Sequence, residues 1–191
     1  MPVLSQRQWN LVLVIVLIAG SLFIAATRVQ PGPGAHPPVA QTDVLTDPAP
    51  LSNHPAPDLA LPQLDGTQLT LRDLRGQVVL INVWATWCPP CRAEMPAIQQ
   101  AYAAYRDRGF MVLAVNQRED ATAITPFLEQ YGLTFPILID RDGQASAIYQ
   151  ASALPSSFFV DRRGVIRAVY RGPMPPRVIN GIVEQLLQER P

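Results

Sequence analysis

Residues 78–91 read Val78-Val79-Leu80-Ile81-Asn82-Val83-Trp84-Ala85-Thr86-Trp87-Cys88-Pro89-Pro90-Cys91, and the fold is decided there. The run from Val78 to Trp84 is nearly continuous in β-branched and apolar side chains, as a strand buried on both faces requires. Helical periodicity begins at Pro89-Pro90 and carries to about Arg108, ending at Gly109. A Cys-x-x-Cys at such a junction has three readings: half a zinc site, a redox pair or coincidence. A structural zinc needs two further ligands. Cys88 and Cys91 are the only cysteines, and both histidines, His36 and His54, lie upstream of the main domain. What remains is a pair spaced for a reversible disulfide at a helix start, where free N–H groups and the helix dipole stabilise a thiolate.

Outward from this point the pattern is that of a mixed α/β domain. Leu59, Leu61 and Leu64 lead to a turn at Asp65-Gly66, and Leu69 and Leu71 follow in alternation, which reads as a β-hairpin. Phe110 to Val115 is a second buried strand, and Ala121 to Tyr131 is a helix stopped by Gly132. Pro136 to Ile139 is a short apolar segment before the turn residues Asp140-Arg141-Asp142-Gly143. Phe158–Val160 and Val165–Tyr170 flank Asp161-Arg162-Arg163-Gly164 as an antiparallel hairpin. Pro176 to Gln188 is an amphipathic helix with Val178, Ile179, Ile182, Val183, Leu186 and Leu187 on one face. An early βαβ and a late ββα together predict a central mixed sheet with helices on both faces.

Among 191 residues, 15 basic side chains balance 15 acidic ones, and every basic one is arginine. With no basic excess or stripe, nucleic acid is not an expected partner. Charged residues are only 16% and the mean hydropathy is positive, which points to an apolar segment outside the domain. That segment runs from Trp9 to Ala26, 18 residues without a charge, or about 27 Å of helix. It predicts a membrane anchor within residues 1–28, held in the lipid bilayer through residues 9–26; a cleaved signal peptide is the competing reading. Residues 29–56, with PGPGAHPPV and DPAPLSNHPAP, read as a Pro-rich tether. Its reach is roughly 30 Å if flexible and about 85 Å if extended. Residues 57–191 form the expected domain.

The stretch from Val83 through Cys88-Pro89-Pro90-Cys91-Arg92-Ala93-Glu94-Met95-Pro96 resembles the active-site signature of the thioredoxin superfamily, in its membrane-anchored TlpA/ResA-like branch. Leu154-Pro155-Ser156-Ser157-Phe158-Phe159-Val160-Asp161 looks like that family's cis-proline loop and next strand. The resemblance implies a thioredoxin fold, extended at its N-terminus by the β-hairpin, and thiol-disulfide oxidoreductase activity with no cofactor. Two mild departures are Ala153, where members often have Gly, and Ser156-Ser157, where they often have Thr-Thr.

By the same resemblance Cys88 is the exposed nucleophile and Cys91 the resolving thiol, joined in a redox-active disulfide. Pro89 and Pro90 lack N–H groups, so Cys91 supplies the main backbone donor to the Cys88 sulfur; a modest pKa depression and a reducing couple are expected. Asn82 stands where cytosolic thioredoxins carry a buried Asp and cannot transfer a proton. Glu94 matches an active-site acid of the branch; the alternative is a solvated residue in the first helical turn. Trp84 and Trp87 either shield the site or pack the core. Leu154 and Pro155 would offer a backbone edge to the substrate if Pro155 is cis, and a trans turn proline is the alternative. The implied partners are disulfide-containing proteins, apocytochrome c among them, and a membrane thiol-electron donor, with the domain outside the cytoplasm. A Cu(I) metallochaperone using the same pair and a thiol peroxidase are the competing functions.

Overall fold

The computed structural model describes residues 50–189, together with Arg7. The expected membrane span at residues 9–26 and the linker up to residue 49 lie outside them. Among the described residues no helix is long and apolar enough to cross a membrane.

A five-stranded sheet carries the fold, with spatial order β5-β4-β3-β6-β7. Its strands are β3 (Val78–Trp84), β4 (Phe110–Gln117), β5 (Ile137–Asp140), β6 (Ser156–Val160) and β7 (Ile166–Arg171). β3 pairs parallel with β4, and β4 with β5, while β6 is antiparallel to both β3 and β7. A separate hairpin of β1 (Ala60–Pro62) and β2 (Gln68–Thr70) precedes it, as the alternating leucines predict. The hairpin loop closes where Thr67 donates through both N–H and hydroxyl to the Asp65 carboxylate at 2.9 and 2.6 Å.

Every residue of β3 is buried. Side chains alternate across a strand, so Val78, Leu80 and Trp84 enter one apolar cluster and Val79, Ile81 and Val83 the other. The first cluster is completed by α1 (Pro89–Tyr105), α2 (Ala121–Tyr131) and α4 (Pro176–Gln188), through Met95, Ile98, Ile124, Phe127, Ile179 and Val183. The second is completed by Leu71, Leu74 and, from α3 (Gln144–Ile148) and its end, Ala145 and Tyr149. Helices therefore cover both faces, three on one and a short one on the other.

Three local differences from the sequence reading have physical causes. α1 stops at Tyr105, and Arg106–Arg108 tighten into a 3-10 turn. Gly109 follows at φ 89°, a left-handed conformation that a glycine adopts without a Cβ penalty. α3 was not expected, because five residues are too few to show a helical period. The Asp140 carboxylate caps it, accepting from the N–H groups of Ala145 and Ser146 and from the Ser146 hydroxyl. Finally, residues 53–56, at the end of the expected tether, are hydrogen-bonded to the domain. Asn53 N–H donates to Ile166 O, Ile166 N–H to His54 O, and Ala56 N–H to Gly164 O. Proline-rich composition suggests a free tether, but extended Pro-containing chain is compatible with lying beside an edge strand.

A chain starting at residue 57 loses those three backbone hydrogen bonds and the burial of Ala56. Compared with one starting at residue 50, it should be less stable by roughly 2–4 kcal/mol. Urea unfolding of the two forms measures the difference.

Candidate active site

β3 delivers the chain to the sheet edge at Trp84, and four residues later Cys88 is the N-cap of α1. Because Pro89 and Pro90 occupy the first helical positions, the first available donor is Cys91 N–H, which reaches Cys88 Sγ at 3.3 Å. Cys88 and Cys91 form a disulfide across a Cα–Cα distance of 5.3 Å. Both belong to the apolar cluster that holds Trp84, Met95 and Met174. Cys88 is 3% exposed and Cys91 0%. The exposed nucleophile expected at Cys88 is thus a buried sulfur in the oxidised state. It keeps only a small access that Cys91 lacks.

The turn leading to Cys88 is anchored from β4. Glu119 accepts from Thr86 N–H at 2.7 Å, from the Thr86 hydroxyl at 2.5 Å and from the Asn116 amide at 2.8 Å. Sequence reasoning missed Glu119. Its signal was the parallel pairing of two buried strands, which sets the chain after β4 beside the chain after β3.

Glu94 is 2% exposed, one helical turn beyond Cys91. Asn82 shares the strand face of Leu80 and Trp84 and donates its amide to Glu94 Oε1 at 2.8 Å and to Ser157 Oγ at 2.9 Å. Met174 N–H donates to Glu94 Oε2 at 2.9 Å. Burial pushes the carboxyl up to about 7, against the opposing pull of the Met174 and Asn82 donors. The solvated alternative for Glu94 is therefore excluded. Asn82 Oδ1 and Trp84 Nε1, both buried, have no partner among the described residues.

The two tryptophans part company. Trp84 packs on Phe127 with ring centroids 5.0 Å apart, whereas Trp87 is 64% exposed directly before Cys88. Leu154–Pro155 is a cis peptide bond, so the trans alternative is excluded. Pro155 O accepts from Gly172 N–H at 2.9 Å. Among the described residues the backbone N–H and C=O of half-buried Leu154 have no backbone partner. Strand directions bring these parts together: the carboxyl ends of β3, β4 and β7 and the start of β6 share one sheet edge. That edge can hold a sulfur pair, a buried acid and a free backbone edge for an extended chain.

Residues 52–169 match the AhpC/TSA family. The chain is 39% identical over 131 residues to the thiol-disulfide oxidoreductase ResA of Geobacillus kaustophilus, covering 69% of this chain and 75% of that one. Among solved structures it is similar to the Chlorobium tepidum protein called thiol:disulfide interchange protein DsbE. There the TM-score is 0.66 and the identity 34%, over 70% of this chain and 95% of the other. A secreted Mycobacterium tuberculosis disulfide oxidoreductase, homologous to Escherichia coli DsbE, superposes with a TM-score of 0.62 at 27% identity, over 67% and 96% of the two chains.

The buried acid makes stability depend on pH in a known direction. Its folded pKa near 7 lies above the ordinary value of 4.5, so between those limits the native state binds more protons than the unfolded one. Stability is then highest below about pH 4.5 and declines as pH rises to 7, by roughly 3 kcal/mol from this group. Glu94→Gln should remove that part of the slope, so the stability of the variant relative to the parent should grow across the window. Unfolding free energies measured from pH 4.5 to 8 check it.

Proposed function

Because the chain belongs to the AhpC/TSA family and is a ResA-like thiol-disulfide oxidoreductase of the thioredoxin superfamily, we propose that it works as a reductant of protein disulfides outside the cytoplasm. In this reading Cys88 attacks and Cys91 resolves. The observation that carries it is the Cys88–Cys91 disulfide at the N-cap of α1, at the same sheet edge as the unpaired backbone of Leu154.

The Cys88 thiolate attacks one sulfur of a substrate disulfide, forming a mixed disulfide and releasing the first substrate thiolate. Cys91 then attacks the Cys88 sulfur, releases the second thiolate and leaves the Cys88–Cys91 disulfide. Two electrons pass to the substrate, and its two thiolates take up protons. Glu94, a buried carboxyl poised near neutrality, exchanges the proton of Cys91, three residues away on the same helix. Leu154 pairs with the substrate backbone, Pro155 holds that edge, and exposed Trp87 contacts the incoming chain. The donors at the Cys88 sulfur support a reducing direction. With two prolines ahead of it, the Cys88 sulfur has a single backbone N–H, from Cys91, and a less stabilised thiolate gives a more reducing couple.

Residues 9–26 tether the domain to the cytoplasmic membrane, as their uncharged length supports. A domain outside the cytoplasm needs its electrons from a thiol-transferring membrane protein. Apocytochrome c, whose haem-site cysteines must be kept reduced, is the proposed substrate.

Cys91→Ser should trap substrates on Cys88, because the mixed disulfide then resolves only through an outside thiol. Non-reducing gels should show reducible adducts that mass spectrometry identifies, with apocytochrome c among them; Cys88→Ser should trap none. Adducts confined to the Cys88 variant would reverse the roles. After mild reduction, a membrane-impermeant thiol reagent should label Cys88 in intact cells, whereas labelling only after lysis would place the domain inside.

A further inference from the structure

On the side of the sheet covered by α3, the ends of β4 and β7 border a cavity of about 420 Å³. Arg118 and Arg171 line it together with the neutral polar residues Gln117, Ser146, Gln150 and Ser152, and among the described residues no acidic one does. Among the described residues neither arginine forms an ion pair. Of the carboxylates near these elements in sequence, Glu119 is engaged by Thr86 and Asn116 and Asp140 by the start of α3, and exposed Asp142 does not line the cavity.

Both arginines are exposed, and each lies against a neighbour. Arg118 has φ 60°, a left-handed backbone that a non-glycine residue adopts at a cost. Its side chain lies over Gly143, where a Cβ would come within 2.7 Å of Arg118 Nε, so the absent side chain at 143 leaves the guanidinium its room. Arg171 donates from Nη1 to Ser156 Oγ at 2.9 Å and stacks over the Phe158 ring at 5.1 Å. Among the described residues its other N–H groups have no hydrogen-bond partner and can serve another acceptor.

The cavity adjoins the cis-proline loop. Ser152 lies two residues before Leu154, Ser156 follows Pro155, and the residue after Arg171 holds Pro155 O. A polypeptide paired with Leu154 would therefore lie near the lining residues that flank this loop, Ser152 and Arg171. We propose that the Arg118–Arg171 cavity binds a carboxylate side chain of the substrate polypeptide, placed a few residues from the disulfide being reduced. The inference rests on the reading that the chain reduces protein disulfides. It adds a charge preference to that activity, since two guanidiniums without a carboxylate partner favour an anion and disfavour a cation.

The test uses the full chain, reduced and freed of reductant, with three peptides of one sequence. Each holds an intramolecular disulfide flanked by two Glu, two Gln or two Lys residues. Each exchange converts protein dithiol and peptide disulfide into protein disulfide and peptide dithiol, so peptide thiol release gives the rate. The Glu peptide should react roughly three- to tenfold faster than the Gln peptide at low ionic strength. The Lys peptide should be slowest, and the ratios should shrink toward one at about 0.5 M salt. Arg118→Gly, which suits the left-handed backbone, and Arg171→Gln should each lower the Glu-to-Gln ratio. Arg118→Glu with Arg171→Glu should turn the preference toward Lys. Equal rates for all three peptides with the parent chain would overturn the cavity assignment while leaving the oxidoreductase reading intact. A preference that survives both substitutions would also overturn it, because the anion would then bind elsewhere. Reduction of none of the peptides would remove the underlying reading and this inference with it.

Discussion

A strand that is dry on both faces cannot end inside the sheet without exposing polar backbone, so β3 must pass its chain to an element that caps itself. Here that element is α1, whose first two residues are prolines and whose N-cap is Cys88. The prolines suit a helix start because their missing N–H groups would lack intrahelical partners anyway. They also leave Cys91 N–H as the donor aimed at the Cys88 sulfur. The reactive pair is thus placed by the same constraint that ends the strand and begins the helix. Glu119, reaching across from β4 to Thr86, holds the intervening turn.

The second constraint is electrostatic. Glu94, one helical turn after Cys91, is held by two donors, Asn82 and Met174, from positions far apart in the chain. Those donors favour the charged carboxylate, burial favours the neutral acid, and burial has the larger effect. A fully solvated acid would be ionised at neutral pH, and an acid buried without donors would be pushed higher still. The compromise leaves a group able to take up or release a proton near pH 7, at a cost in stability whenever it is ionised. Asn82, also bonded to Ser157 of the neighbouring strand, ties that group to the cis-proline segment.

A third consequence follows from strand direction. Since β6 runs opposite to β3, its first residue lies at the edge where β3 ends, and β7 returns its last residue, Arg171, to the same place. The sulfur pair, on the α1 side, and the Arg118–Arg171 cavity, on the α3 side, therefore lie at one edge. Between them lies the cis-proline loop, whose backbone belongs to neither side alone.

The amino-acid order by itself determined the buried strand at 78–84, the hairpin turn at Asp65-Gly66, the amphipathic helix at 176–188 and the disulfide-forming pair. Each is a matter of local period or of side-chain chemistry at short spacing. Motif resemblance further anticipated the acid at 94 and the proline at 155. Neither reading could say that Glu94 is buried, because its donors come from positions 82 and 174 and its burial depends on how α1 lies against the sheet. α3 escaped notice because five residues hold too little periodicity, and the hydrogen bonding of 53–56 because pairing with 164–166 leaves no local pattern. Glu119, Arg118 and Arg171 look like ordinary surface charges until the strand directions bring their ends to one edge. Only the tertiary structure decided these, since burial and convergence are set by residues distant in the chain, while periodicity and motif spacing are set by neighbours.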